Sequence, residues 1–147
     1  MANSQYYNYP GFGEWAQKNL GYAQAVRVGD RIVCSGQGGW NGEKTEVTFD
    51  SLIEGDLIQE IDRAFENCDR NLRHAGGKGW SQVYRVVTYS TNISSQHERI
   101  MYNMRKWMPD HNATWTELGV KELGSPQMHI EIEVEAYDPE GAADAKK

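Results

Sequence analysis

Residues 54–77 read EGDLIQEIDRAFENCDRNLRHAGG, and their apolar positions recur with the spacing of a single helix face. Leu57, Ile58, Ile61, Ala64, Phe65, Cys68 and Leu72 follow the i, i+4, i+7, i+8 repeat that an α-helix turns to one side. Glu60, Arg63, Asn67 and Arg70 make the opposite, polar face. Gly76 and Gly77 come directly afterwards and supply the left-handed conformation that closes a helix C-terminus. A helix with one apolar face needs a layer to pack on, and the flanking sequence supplies strands.

Downstream, VYRVVTYS (83–90) is β-branched and aromatic and reads as a strand. A second helix is expected from about Gln96 to Met108, capped by Ser94 or Ser95 and stopped by Pro109, with Ile100, Met104, Trp107 and Met108 on its apolar stripe. The last third alternates in NATWTELGVKEL and MHIEIEVEAY. In the second run Met128, Ile130, Ile132 and Val134 share one face, while His129, Glu131, Glu133 and Glu135 share the other. Upstream, AQAVRV (23–28) and RIVCSG (31–36) flank Gly29-Asp30 as a hairpin, and VTF (47–49) reads as a short strand. The order β-β-(β)-α-β-α-β-β predicts an α+β fold, a mixed sheet with two helices on one face. Residues 1–20 hold five unperiodic aromatics and read as an irregular arm; 21–139 form a single domain, and 140–147 a flexible tail.

Composition narrows the function classes. Fifteen Lys and Arg against 21 Asp and Glu give a net charge of −6, the wrong sign for a protein held on a phosphate backbone, so a nucleic-acid partner is not expected. The opening residues lack an apolar h-region, and no run approaches the roughly 18 apolar residues of a spanning helix, so the expectation is a soluble, cytoplasmic protein without a membrane partner. Cys34 and Cys68 lack metal-ligand spacing and read as buried thiols. The four histidines match no ligand pair, and no metal is expected.

Three glutamates on one strand face are the conspicuous chemical feature, because like charges at i and i+2 repel. One of them lining a pocket would have its pKa raised toward acid or base use. At the end of the hairpin, VCSGQGGW offers a small hydroxyl and accessible backbone, without a phosphate-loop spacing. Of five tryptophans, Trp40 and Trp80 lie in Gly-rich loops, where large rings favour subunit contacts or a ligand wall.

The motifs GYAQAVRVGDRIVCSGQ, AFENCDRNLRHAGG, VYRVVTYSTN, HNAT and HIEIEVEAYDP, in this order between about Tyr22 and Pro139, resemble the reactive intermediate deaminase (RidA/YjgF) superfamily, also labelled L-PSP endoribonuclease. The resemblance implies a chorismate-mutase-like α+β fold and a homotrimer with pockets between subunits. It also implies hydrolysis of enamine or imine metabolites to 2-keto acids and ammonia, without metal or organic cofactor. Tyr22 matches the family's pocket tyrosine, and Ser35 with Gly36 its Ser-Gly. Aligned on Gly119-Val120, Glu131 takes the place of the glutamate that holds the attacking water; aligned without a gap through HNAT, Glu133 does.

The family's carboxylate-binding arginine is missing. Its place falls on Trp115 in the first alignment or Leu118 in the second, and TWTELGVKEL contains no arginine. The pocket asparagine falls on Met101. The expected function is therefore a cofactor-free, imine-hydrolysing deaminase of altered specificity, with Glu131 and Ser35 as catalytic candidates. Tyr22, Gly36, Trp115, Leu118, Met101 and Glu133 are its binding candidates. The alternative is a trimeric ligand-binding or chaperone-like protein without chemistry, and a third reading is an endoribonuclease.

Overall fold

The computed structural model describes residues 4–146. Its elements are β1 (Ser4–Tyr7), α1 (Phe12–Leu20), β2 (Ala25–Val28), β3 (Arg31–Cys34), α2 (Leu57–His74), β4 (Val83–Ser90), α3 (Ile93–Trp107), β5 (Thr114–Gly119), β6 (Ile130–Tyr137) and α4 (Pro139–Ala145). The six strands form one sheet in the order β1-β2-β3-β6-β4-β5. Every neighbouring pair is antiparallel except β4 and β5, which α3 connects as a crossover. This is the α+β architecture expected from the sequence.

The long helix begins where its chemistry allows. Asp56 caps α2 by accepting the Gln59 amide at 2.9 Å, and Gln59 Oε1 in turn accepts the Asp56 amide at 2.9 Å. At the other end Gly76, at φ 92°, lets its own amide reach Arg73 O and that of Gly77 reach Leu72 O, both at 3.0 Å. Between the caps, Ile61, Ala64, Phe65, Cys68 and Leu72 are buried against Ile32, Ile132 and Val134 of the sheet. Each such side chain contributes about 1.5–3 kcal/mol by burial, an upper bound because the unfolded chain already hides some surface. Arg99 of α3 forks onto Asp62 at 2.8 and 2.7 Å, and Asn103 donates to the same carboxylate at 2.9 Å, which clamps the two helices together.

The polar face of α2 is partly buried. Glu60 and Asn67 are only 1% and 2% exposed, because the loop after β3 lies across them. Asn67 donates to Gly38 O and Trp40 O, each at 2.9 Å, and Arg63 donates to Gly39 O at 2.9 Å. The loop carbonyls need donors once water is excluded, and the helix's polar row provides them.

Four expectations about elements change. In place of an irregular arm stand β1, paired antiparallel with β2, and α1, turned at Gly11 (φ 87°) and closed by Gly21 (φ 78°); residues 1–3 lie outside the described residues. No strand forms at 47–49, where a 3-10 turn, Phe49–Ser51, follows Thr48. Asn92, not Ser94 or Ser95, caps α3, accepting the Ser95 amide at 3.3 Å. The expected tail holds α4, with Asp138 accepting the Gly141 amide at 3.1 Å and Pro139 in the first turn; Lys147 lies outside the described residues.

A second apolar cluster gathers Tyr9, Phe12, Ala16, Trp40, Leu52 and Met128 at the end of the sheet where β3 leaves and β6 begins. Met128 therefore leaves the strand's core stripe. His129 also departs from its expected face, because its amide and Nδ1 both turn to the buried Glu60 carboxylate, at 2.7 and 2.8 Å. Trp80 is a core residue, contrary to expectation: it stacks on Phe65 at 5.1 Å and donates to Phe65 O at 2.9 Å.

Candidate functional site

After Cys34 the chain leaves β3 but stays bound to β6, because Gln37 exchanges backbone hydrogen bonds with Ile132 at 2.8 and 2.9 Å. That bridge lays Gly36 over the Glu131 side chain. A Cβ at position 36 would stand 2.7 Å from both Cγ and Cδ of Glu131, so only glycine leaves room for the carboxylate. Beside it opens a cavity of about 260 Å³ lined by Phe12, Trp15, Tyr22 and Trp40, together with Leu52, Met128 and Glu131. Helix α1 supplies two of the four rings.

The three glutamates of β6 have different surroundings. Glu133 accepts the Tyr89 hydroxyl at 2.9 Å and Arg85 at 3.4 Å; Glu135 accepts the Tyr84 hydroxyl at 2.6 Å, with Arg85 at 3.9 Å. Among the described residues nothing hydrogen-bonds or ion-pairs the Glu131 carboxylate. Burial raises its pKa, and the Glu133 charge adds to the rise. Burial also raises the Tyr22 hydroxyl; the Gln24 side chain works against that shift and the Glu131 charge adds to it, which marks Tyr22 and Glu131 as neighbours.

Behind the rings runs a buried polar relay with no simple sequence signal. Trp40 Nε1 donates to Tyr9 Oη at 3.0 Å, the Tyr9 hydroxyl to Gln37 Oε1 at 2.8 Å, and Gln37 Nε2 to Gln24 Oε1 at 2.9 Å. Asn71 of α2 anchors Gln24 through its carbonyl at 2.9 Å. The relay holds Trp40 in one orientation and fixes the segment that carries Tyr22.

Glu131, Tyr22 and Gly36 come together at this cavity, and the other candidates do not line it. Ser35 sits behind Tyr22 in an adjoining cavity of about 290 Å³, its hydroxyl donated to Ala23 O at 2.7 Å. Glu133 is occupied by Tyr89 and Arg85. Leu118 pairs with Tyr89, which in turn pairs with Glu131, so strand register puts it on the Glu131 face without bringing it into the cavity. Trp115 alternates to the helix side, where it stacks on His97 at 5.7 Å and donates to Thr88 Oγ1 at 2.9 Å. Met101 joins it in a separate cavity of about 350 Å³ between α3 and β5. Within one chain Trp115 and Glu131 therefore lie on opposite faces of the sheet, because an odd offset along a pleated strand reverses the face.

No group of His, Cys, Asp and Glu among the described residues could hold a metal ion, and none of their helices is long and apolar enough to cross a membrane. Both cysteines are buried free thiols, and burial pushes Cys34 up to about 12.

The family model described as endoribonuclease L-PSP matches residues 16–138. Among solved structures, protein YJGH is 26% identical with a TM-score of 0.78, over 94% of this chain and 98% of its own. A Mycobacterium tuberculosis member of the YjgF/YER057c/UK114 family is 22% identical, with a TM-score of 0.72 over 91% and 98% of the two chains. RidA from the Antarctic bacterium Psychrobacter sp. is 23% identical, with a TM-score of 0.67 over 79% and 87%. No curated protein sequence matches.

Proposed function

Because the chain belongs to the endoribonuclease L-PSP, or RidA/YjgF, family, we propose that it is a cofactor-free hydrolase of small imines or enamines, working as a homotrimer at the Glu131 cavity. The observation that carries this reading is the Glu131 carboxylate, unpaired and half-buried against Gly36. A protonated imine carbon accepts the oxygen of water while Glu131 takes the water proton. Glu131 passes that proton to the nitrogen and then takes the proton of the new hydroxyl as the C–N bond breaks; the carbonyl compound and ammonia leave, the ammonia picking up this second proton as ammonium, so one water is consumed and no redox partner is required. Gly36 leaves room for the base, and Tyr22 supplies a neutral hydroxyl beside it.

An ammonia-release assay tests the reading, with imines generated in the cuvette from both unsaturated amino acids and simple amines. Release that disappears in Glu131→Gln supports it. Binding without release favours the alternative, a ligand-binding or chaperone-like protein, which the largely apolar cavity wall also fits. RNA cleavage by metal-free, nuclease-clean protein would establish the third reading, against the charge of −6.

A further inference from the structure

The Glu131 cavity is small, and its lining is one-sided in charge. At about 260 Å³ it lies just below the roughly 300–1,000 Å³ of drug-sized sites, which fits a metabolite. Its wall is a continuous aromatic surface: Phe12 stacks on Trp40 at 3.9 Å with 21° between the planes, and Trp15 leans on Phe12 at 5.7 Å and 35°. The only ionisable carboxylate in the lining is Glu131, and among the described residues that line it there is no Lys, Arg or His. Ring faces attract cations and repel anions, and an uncompensated carboxylate does the same.

We propose, resting on the Glu131 cavity as the working site, that its ligand is a small organic cation, an ammonium or iminium, with an apolar body and no carboxylate. An amino-acid-derived imine would bring its own carboxylate against Glu131, and the lining residues offer it no cation. A cation without one gains from both the rings and the carboxylate. The relay through Tyr9 holds Trp40 in place before the ligand arrives, so little ordering is left for binding to offset. Burial raises the pKa of Glu131, and a bound cation would reverse that rise.

Isothermal titration calorimetry of the full chain at neutral pH, with benzylammonium, benzyl alcohol and benzoate, tests the proposal. These probes share a ring and differ in charge. Cation–π attraction alone is worth roughly two- to thirtyfold, so benzylammonium should bind at least about tenfold more tightly than either of the others. In Glu131→Gln that preference should fall by at least about threefold, to what the rings alone supply, while benzyl alcohol binds as before. In Trp15→Leu, benzylammonium should weaken more than benzyl alcohol. No benzylammonium binding, equal or tighter binding of benzoate, or a preference left undiminished in Glu131→Gln would overturn the proposal. The hydrolase reading fails separately: cation preference without ammonia release from any imine leaves the ligand class standing. Hydrolysis confined to imines that carry a carboxylate removes the ligand class and leaves the hydrolase.

Discussion

Glu131 differs from Glu133 and Glu135 in having no tyrosine or arginine on its carboxylate. Glu131→Gln keeps the shape and removes the proton acceptor, so turnover should fall by about 10²–10⁴, the usual worth of a general base. Glu133→Gln should leave most of it. The folded-state pKa of Glu131 is raised, so whatever stability its protonated form contributes is present at low pH and lost as pH rises through that pKa. Melting curves at neutral pH should therefore find Glu131→Gln as stable as wild type or slightly more so. The acid limb of the rate profile should lie above the ordinary glutamate value of about 4.3, and a limb at or below it would contradict a half-buried base. Gly36→Ala makes a separate test. The new methyl displaces the far end of a flexible side chain, so the fold should survive while activity falls with the displaced carboxylate.

At the scale of elements, α2 was legible to within a few residues because its caps and its apolar repeat agree with one another. Phe65→Ala in its centre should cost about 3–5 kcal/mol in urea unfolding, since Phe65 stacks on Trp80 deep in the core. What the helix's polar row meets was not legible, because periodicity distinguishes apolar from polar without saying whether the polar side meets water or backbone carbonyls. Helix α4 was missed for a related reason: seven residues are too few for a period, and what holds it is a long-range ion pair. Arg27, 4% exposed, donates to Asp138, 1% exposed, at 2.7 Å, and Gln82 donates to the other carboxylate oxygen at 2.8 Å. Burial tends to raise the Asp138 pKa, but the Arg27, Gln82 and Gly141 hydrogen bonds outweigh it and hold the carboxyl below its usual range. A depressed carboxyl contributes stability above the unfolded value of about 3.9 and loses it as pH falls through the folded pKa. Asp138→Asn should thus cost about 3–5 kcal/mol near neutral pH by leaving Arg27 buried and unpaired, with a smaller difference from wild type in strong acid.

For the whole molecule, α2 and α3 cover one face of the sheet, and parts of the other, outside the Glu131 cavity, stay exposed. Val28 and Leu118 on that face are 46% and 43% exposed, which is poor surface for a lone chain. Light scattering should give about three times 16.7 kDa, and a stable monomer at micromolar concentration would contradict the proposed trimer. From the sequence alone came the hairpin, α2, β4, the alternation that sets Glu131 apart from the core stripe of β6, and, through family likeness, Tyr22 and Gly36 beside it. These are local or periodic properties, written within a few turns of helix or one strand. Only the tertiary structure decided that Phe12 and Trp15 of an unperiodic arm close the cavity, that Trp40 is held by Tyr9, and that Trp115 turns to the opposite face. Each depends on contacts between segments tens of residues apart or on strand register, and the identity of a residue does not encode which distant partner excludes water from it.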